Sequence, residues 1–163
     1  MKYLITNKQF NLLMESNEDK ILMLPNPDRI GGWRILQQIL EMKGNPKYGI
    51  RGDLDLYETS IESLGNLEYV GSHLDLERAS IKSLGNLKYV GGYLNLYETS
   101  IESLGDLKHV GGYLNLAETP IKSLGDLEYV GTNLYLRSTP LSEITTEEEI
   151  RSKVNVVGDI YLK

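Results

Sequence analysis

One phrase recurs at a fixed spacing of 20 residues, and no other feature constrains the fold as strongly. From Leu54 it reads Leu-x-Leu-x-x-Thr-x-Ile-x-x-Leu-Gly-Asn/Asp-Leu-x-Tyr-Val-Gly, and it returns from Leu74, Leu94 and Leu114, with a degenerate copy from Leu134. A period of this length marks a solenoid, in which each block is one coil that cannot bury its apolar face alone. Such a chain presents a long surface, so the first expectation is binding rather than chemistry.

Residue types within the block explain their positions. Leu54 and Leu56 stand two apart, so a strand puts both on one face, while Asp53, Asp55 and Tyr57 point the other way. Ile61, Leu64, Leu67 and Val70 complete the interior, giving six apolar columns along the rod. Gly65, Gly85, Gly105 and Gly125 precede Asn66, Asn86, Asp106 and Asp126, a pairing suited to tight turns. Gly71, Gly91, Gly111 and Gly131 mark a second bend before each strand. Six parallel strands at about 4.8 Å spacing would form a strip roughly 25 Å long.

The chain divides accordingly. Residues 1–49 do not repeat and read as an N-terminal helical cap. Thr6 caps a short helix carrying Phe10, Leu12, Leu13 and Met14, the apolar run Ile21–Leu24 stops at Pro25, and a second helix runs from Trp33 to Lys43, ended by Gly44. Ile50 falls 20 residues before Val70, so regular coiling begins there, and residues 50–144 are the repeats. Residues 145–163 hold a C-terminal capping helix, opened by the capping-box pattern Thr146-Glu147-Glu148-Glu149, and a final strand, Ile160-Tyr161-Leu162.

The Leu-x-Leu-x-x-Thr-x-Ile-x-x-Leu phrase resembles the core of the leucine-rich repeat, Leu-x-Leu-x-x-Asn-x-Leu. Its length is similar to the shortest bacterial class, found in secreted effectors and in repeat proteins of bacteriophages. The resemblance implies an α+β fold: a single right-handed leucine-rich-repeat solenoid of about five to six coils, with a parallel β-sheet and an N-terminal α-helical cap. A straighter β-helix-like rod is the alternative, because Thr59, Thr99, Thr119, Thr139 and Ala79 replace the family's turn asparagine. Leu64-Gly65 and its copies also stand where the bacterial class has Leu-Pro.

The same resemblance implies that strand positions flanking the buried leucines form a concave, ligand-facing surface. Those positions vary most between coils. The candidate partner-binding residues are Asp53, Asp55, Tyr57, His73, Asp75, Glu77, Tyr93, Asn95, Tyr97, Tyr113, Asn115, Tyr135 and Arg137: an acidic N-terminal patch running into a tyrosine-rich middle. Tyrosine supplies stiff contact area with a polar tip, which suits interface anchors. The bland reading is that these tyrosines stack and the asparagines ladder between coils, serving only the sheet. Tyr69, Tyr89, His109 and Tyr129 read as packing beside the valine column, and Glu62, Lys82, Glu102 and Lys122 as a solvated row of alternating sign.

Composition narrows the partner and the chemistry. A net charge of −6 disfavours nucleic acid, whose affinity rests on neutralising phosphates, and favours a protein with a basic or mixed surface. The absence of cysteine removes disulfides, thiolate metal sites and the catalytic cysteine of ligase-bearing effectors. No signal peptide or membrane span is expected, so the reading is a soluble cytoplasmic protein, in the host cytoplasm if a phage encodes it. No cofactor or metal motif is present. The expected function is non-enzymatic protein binding, with a phage-encoded inhibitor of a host defence protein as its concrete form. A homodimer or scaffold joined through a terminal edge strand is the second reading. A carbohydrate-active enzyme using Asp53, Asp55 and Asp75 is the third.

Overall fold

The computed structural model describes residues 21–163; the helix expected from Thr6, with Phe10, Leu12, Leu13 and Met14, lies outside them. The chain winds as a solenoid of about four regular turns, and each regular coil carries two very short strands rather than the single one expected. One set is β1 (Leu22–Leu24), β2 (Tyr48–Ile50), β4 (Leu67–Val70), β6 (Tyr89–Val90), β8 (His109–Val110), β10 (Tyr129–Val130) and β12 (Asn155–Val156), hydrogen-bonded in that order as sheet one. The other is β3 (Leu54–Asp55), β5 (Leu74–Asp75), β7 (Leu94–Asn95), β9 (Leu114–Asn115), β11 (Leu134–Tyr135) and β13 (Ile160–Tyr161), which form sheet two. Every pairing is parallel, and in the regular coils equivalent residues meet, Leu74 with Leu94 and Val90 with Val110.

Coiling starts earlier than Ile50. Leu22 pairs with Tyr48, just as Tyr129 pairs with Asn155, so a coil of 26 residues stands at each end. The extra length holds helices: α1 (Trp33–Met42) at the first, α2 (Pro140–Ile144) and α3 (Glu147–Arg151) at the last. Helix α1 buries Leu36 and Leu40 in the common core, with Trp33 and Ile39 packed against it. Its end matches the sequence pattern, since Lys43 and Gly44 donate to the carbonyls of Leu40 and Glu41. The capping box at α3 is present in both directions between Thr146 and Glu149.

The interior is a stack of identical rungs. Leu54, Leu56, Leu64, Leu67 and Val70 and their copies are buried, most of them with no exposed surface at all. Each fully buried leucine stabilises the fold by about 1.5–3 kcal/mol relative to exposure. The repeating side chains seal the turns. Thr59, Thr99, Thr119 and Thr139 each donate Oγ1 to the carbonyl of the leucine three residues back, at 2.7–2.8 Å. Ser63, Ser83, Ser103 and Ser123 each accept the amide of the glycine two residues on, and those glycines sit at φ of 58–60°.

The second glycine column does mark a bend before each strand, and its glycines have a further cause. Its φ values are ordinary, but a Cβ on Gly71, Gly91, Gly111 or Gly131 would run into the backbone carbonyl of the coil before it. Glycine stands there because two main chains approach too closely for anything larger. Among the described residues no helix is long and apolar enough to cross a membrane.

Candidate functional site

Sheet two carries the residues singled out from the sequence. Its strands are two residues long, so one side chain per strand faces outward and its neighbours lie in the flanking turns. The structure gathers the candidates in three columns at one-coil spacing.

The column before the strands is an aromatic stack. His73 lies on Tyr93 with ring centroids 4.2 Å apart, and Tyr93 lies on Tyr113 at 4.8 Å, within 12° of parallel in both cases. From the strands themselves, Tyr135 meets Tyr113 edge-on at 6.1 Å and stacks on Tyr161 at 4.8 Å. The stack is fixed from beneath: Asp53 accepts the His73 amide at 3.1 Å, and His73 Nδ1 accepts the Tyr93 amide at 3.1 Å. Ring faces are therefore spent on one another, and the edges and hydroxyls are what the surface offers.

The column on the strands works as turn caps. Asp55, Asp75, Asn95 and Asn115 each accept the amide two residues on, at 3.0–3.3 Å. The amide groups also ladder, Asn115 to Asn95 and Asn95 to Glu77. Asn95 is only 7% exposed, with every polar atom engaged; as placed, it contributes support rather than contact. The expectation of asparagine ladders and stacked tyrosines thus describes the local geometry well.

The third column follows the strands and is partly accessible. Tyr57 and Arg137 are exposed, whereas Glu77 and Tyr97 are half-buried. The next residue in each coil, Glu58, Arg78, Glu98, Glu118 and Ser138, is held at φ of 51–57°, a left-handed conformation that costs L-residues roughly 1–2 kcal/mol. Arg78 bridges the Glu98 and Glu58 carboxylates at 2.6 and 3.8 Å and sits 6.0 Å from the Tyr97 ring centre. Arg137 lies 5.3 Å above the Tyr161 ring.

Electrostatics follow this layout. Hydrogen bonds from Ser72 and the His73 amide hold Asp53 below the usual carboxylate range. Burial pushes Asp75 up, against the bond from the Glu77 amide, and the charges of Asp55 and Glu77 add to the rise. Burial and the nearby acids Asp75, Asp53 and Asp55 raise Tyr93. Donating to Glu98 and Glu118 pushes Tyr97 up to about 12. Asp53, Asp55, Asp75 and Glu77 thus form one negative region at the first two coils, abutting the ring stack.

Tyr69, Tyr89, His109 and Tyr129, expected to pack beside the valine column, do so as a second, unbroken stack on sheet one, with centroids 4.6–4.8 Å apart, all four half-buried. One feature escaped the sequence reading. Glu68 is buried at 5% exposure and bridges Lys47 and Lys88, each at 3.2 Å; nothing in its own coil marks it. Of the row expected to alternate in sign, Lys82 and Glu62 pair at 3.1 Å. A cavity of about 160 Å³ lies between α1 and the first regular coil, lined by Gln37, Tyr48 and Asn66 among others. Among the described residues no cluster of three or more His, Cys, Asp or Glu side chains is placed to hold a metal. Compared with family models, curated proteins and solved structures, the chain matches none.

Proposed function

We propose that this chain is a non-enzymatic protein-binding module that uses the outward face of sheet two. The observation that carries the reading is the juxtaposition of four carboxylates, Asp53, Asp55, Asp75 and Glu77, with the stack His73–Tyr93–Tyr113 on one rigid strip. That combination fits a protein with a basic or mixed surface: opposite charge steers encounter, and tyrosine edges give contact area and hydrogen bonds without ordering cost. Asp55 and Asp75 spend an oxygen each on turn amides, which suits fixed charges better than the proton shuttling of a glycosidase.

The two-sheet coil favours the straighter, β-helix-like form of the solenoid over a leucine-rich-repeat horseshoe, with α1 as its N-terminal cap. In its concrete form the module is a phage-encoded inhibitor that occludes a host defence protein in the cytoplasm, an extension supported by the resemblance of the repeat alone. Self-association through the last strand, Ile160–Tyr161 at the edge of sheet two, is the second reading. The test is capture from the native cell's lysate with the parent, with Asp53→Lys/Asp75→Lys and with Tyr93→Ala/Tyr113→Ala. Loss of the same partner in both variants is expected; a partner retained by both overturns the use of this face.

A further inference from the structure

A parallel coil ends with unsatisfied backbone on its last strands, a template for pairing with another chain. In sheet one, each regular coil offers three carbonyls to the next. In one row Glu68 accepts from Lys88 at 3.0 Å and Glu128 from Asn155 at 2.9 Å, and two further rows run beside it. Val70 and Ser72 accept from Gly91 and Gly92 at 2.8 and 2.7 Å, Val90 and Gly92 from Gly111 and Gly112, and Val130 and Thr132 from Val157 and Gly158. Val130 pairs with Val156 in register, so the next carbonyls in the two rows are those of Val156 and Gly158. Both are taken by one side chain: Arg151 Nη1 donates to Val156 at 2.6 Å and Nη2 to Gly158 at 2.7 Å. The guanidinium fork reproduces two of the amides that another coil would supply. Glu147 holds it there, accepting from Nε at 2.8 Å one helical turn away.

Among the described residues, the opposite end of the same sheet lacks one complementary donor. Gly71 donates to Ile50 and Arg51 donates to Leu24; one coil earlier the equivalent position is Pro25, which has no N–H. At sheet two, Asn26 Nδ2 donates to the Asp53 carbonyl at 2.9 Å, the place where in later coils a leucine amide of the preceding coil binds, as Leu54 does to His73.

We infer that Arg151, held by Glu147, is an edge plug that stands in for a following coil and keeps copies of this chain from joining end to end through sheet one. Pro25 acts with it by removing the matching donor.

Sedimentation velocity over a wide concentration range tests this with Arg151→Ala, alone and combined with Pro25→Ala, against the parent. The parent is expected to stay monomeric, and the variants to gain larger species as concentration rises, most strongly in the double variant. A folded double variant that sediments like the parent overturns the proposal, as does a parent that itself associates through this edge. If the alanine variants do not fold, Arg151→Lys decides in the same way, since lysine keeps the charge but cannot span both carbonyls. On the parent, the Arg151 guanidinium protons are expected to exchange with solvent more slowly than those of exposed Arg34. Equal rates overturn the proposal independently of any variant.

Discussion

Ala79 occupies the column in which every other coil has a threonine, and restoring the threonine is expected to strengthen the rod. Ala79 is 3% exposed, while Thr99, Thr119 and Thr139 fit the same place at 2–4%. Successive threonines already stack coil on coil there, so the added atoms meet a site shaped for them. The hydroxyl would reach the Leu76 carbonyl, which at present receives the Ala79 amide at 2.9 Å. The Leu96 carbonyl shows that both bonds coexist, taking the Thr99 amide at 3.2 Å and its hydroxyl at 2.8 Å. A net hydrogen bond contributes about 1 kcal/mol, and a buried methyl about 0.8 kcal/mol. Ala79→Thr should therefore stabilise by about 1–2 kcal/mol and raise the melting midpoint by roughly 2–8 °C for a chain of this size. Thermal and urea melts followed by circular dichroism measure it, with Ala79→Val as the control that adds bulk without a donor. A threonine variant no more stable than the parent, or a valine variant that matches it, would refute the assignment of the hydroxyl as the sealing group.

Gly91→Ala should destabilise by at least about 1–3 kcal/mol in urea melts, because its Cβ meets the Gly71 carbonyl rather than a side chain that can yield; a neutral result would show that adjacent coils separate freely. Burial pushes the Glu68 carboxyl up, but the hydrogen bonds and charges of Lys47 and Lys88 outweigh it and hold the group below the ordinary glutamate value. Its contribution is therefore complete above that ordinary value and is lost as pH falls through the depressed folded one. Glu68→Gln should flatten the acid limb of stability against pH relative to the parent, and an unchanged slope would remove Glu68 from the titrating set.

The leucine columns and the solenoid itself were legible because each buried residue obeys its own coil and recurs unchanged. What a residue does between coils was not. Asp55 and Asp75 look like free surface charge until the amides of Tyr57 and Glu77 are seen to fall on them. The strand Tyr89–Val90 is two residues long, too short for alternation to announce it, so a second sheet was invisible while its aromatic stack read as edge packing. Leu22–Leu24 reads as an isolated apolar run, and its pairing with Tyr48–Ile50 spans a helix that interrupts the period. The acidic and aromatic strip was found in sequence because variation among otherwise constant coils singles out the side chains that the core does not dictate.

The in-register ladders also govern how such a chain can change length. With Leu54, Leu74, Leu94, Leu114 and Leu134 meeting rung upon rung, removing or duplicating one complete rung rejoins like to like and leaves every remaining contact in place. Half a rung would set glycine corners against leucines and turn the hydroxyl seals outward. Whole steps are thus the units in which the geometry tolerates a change of length, and the core leaves the outer side chains of each step undictated.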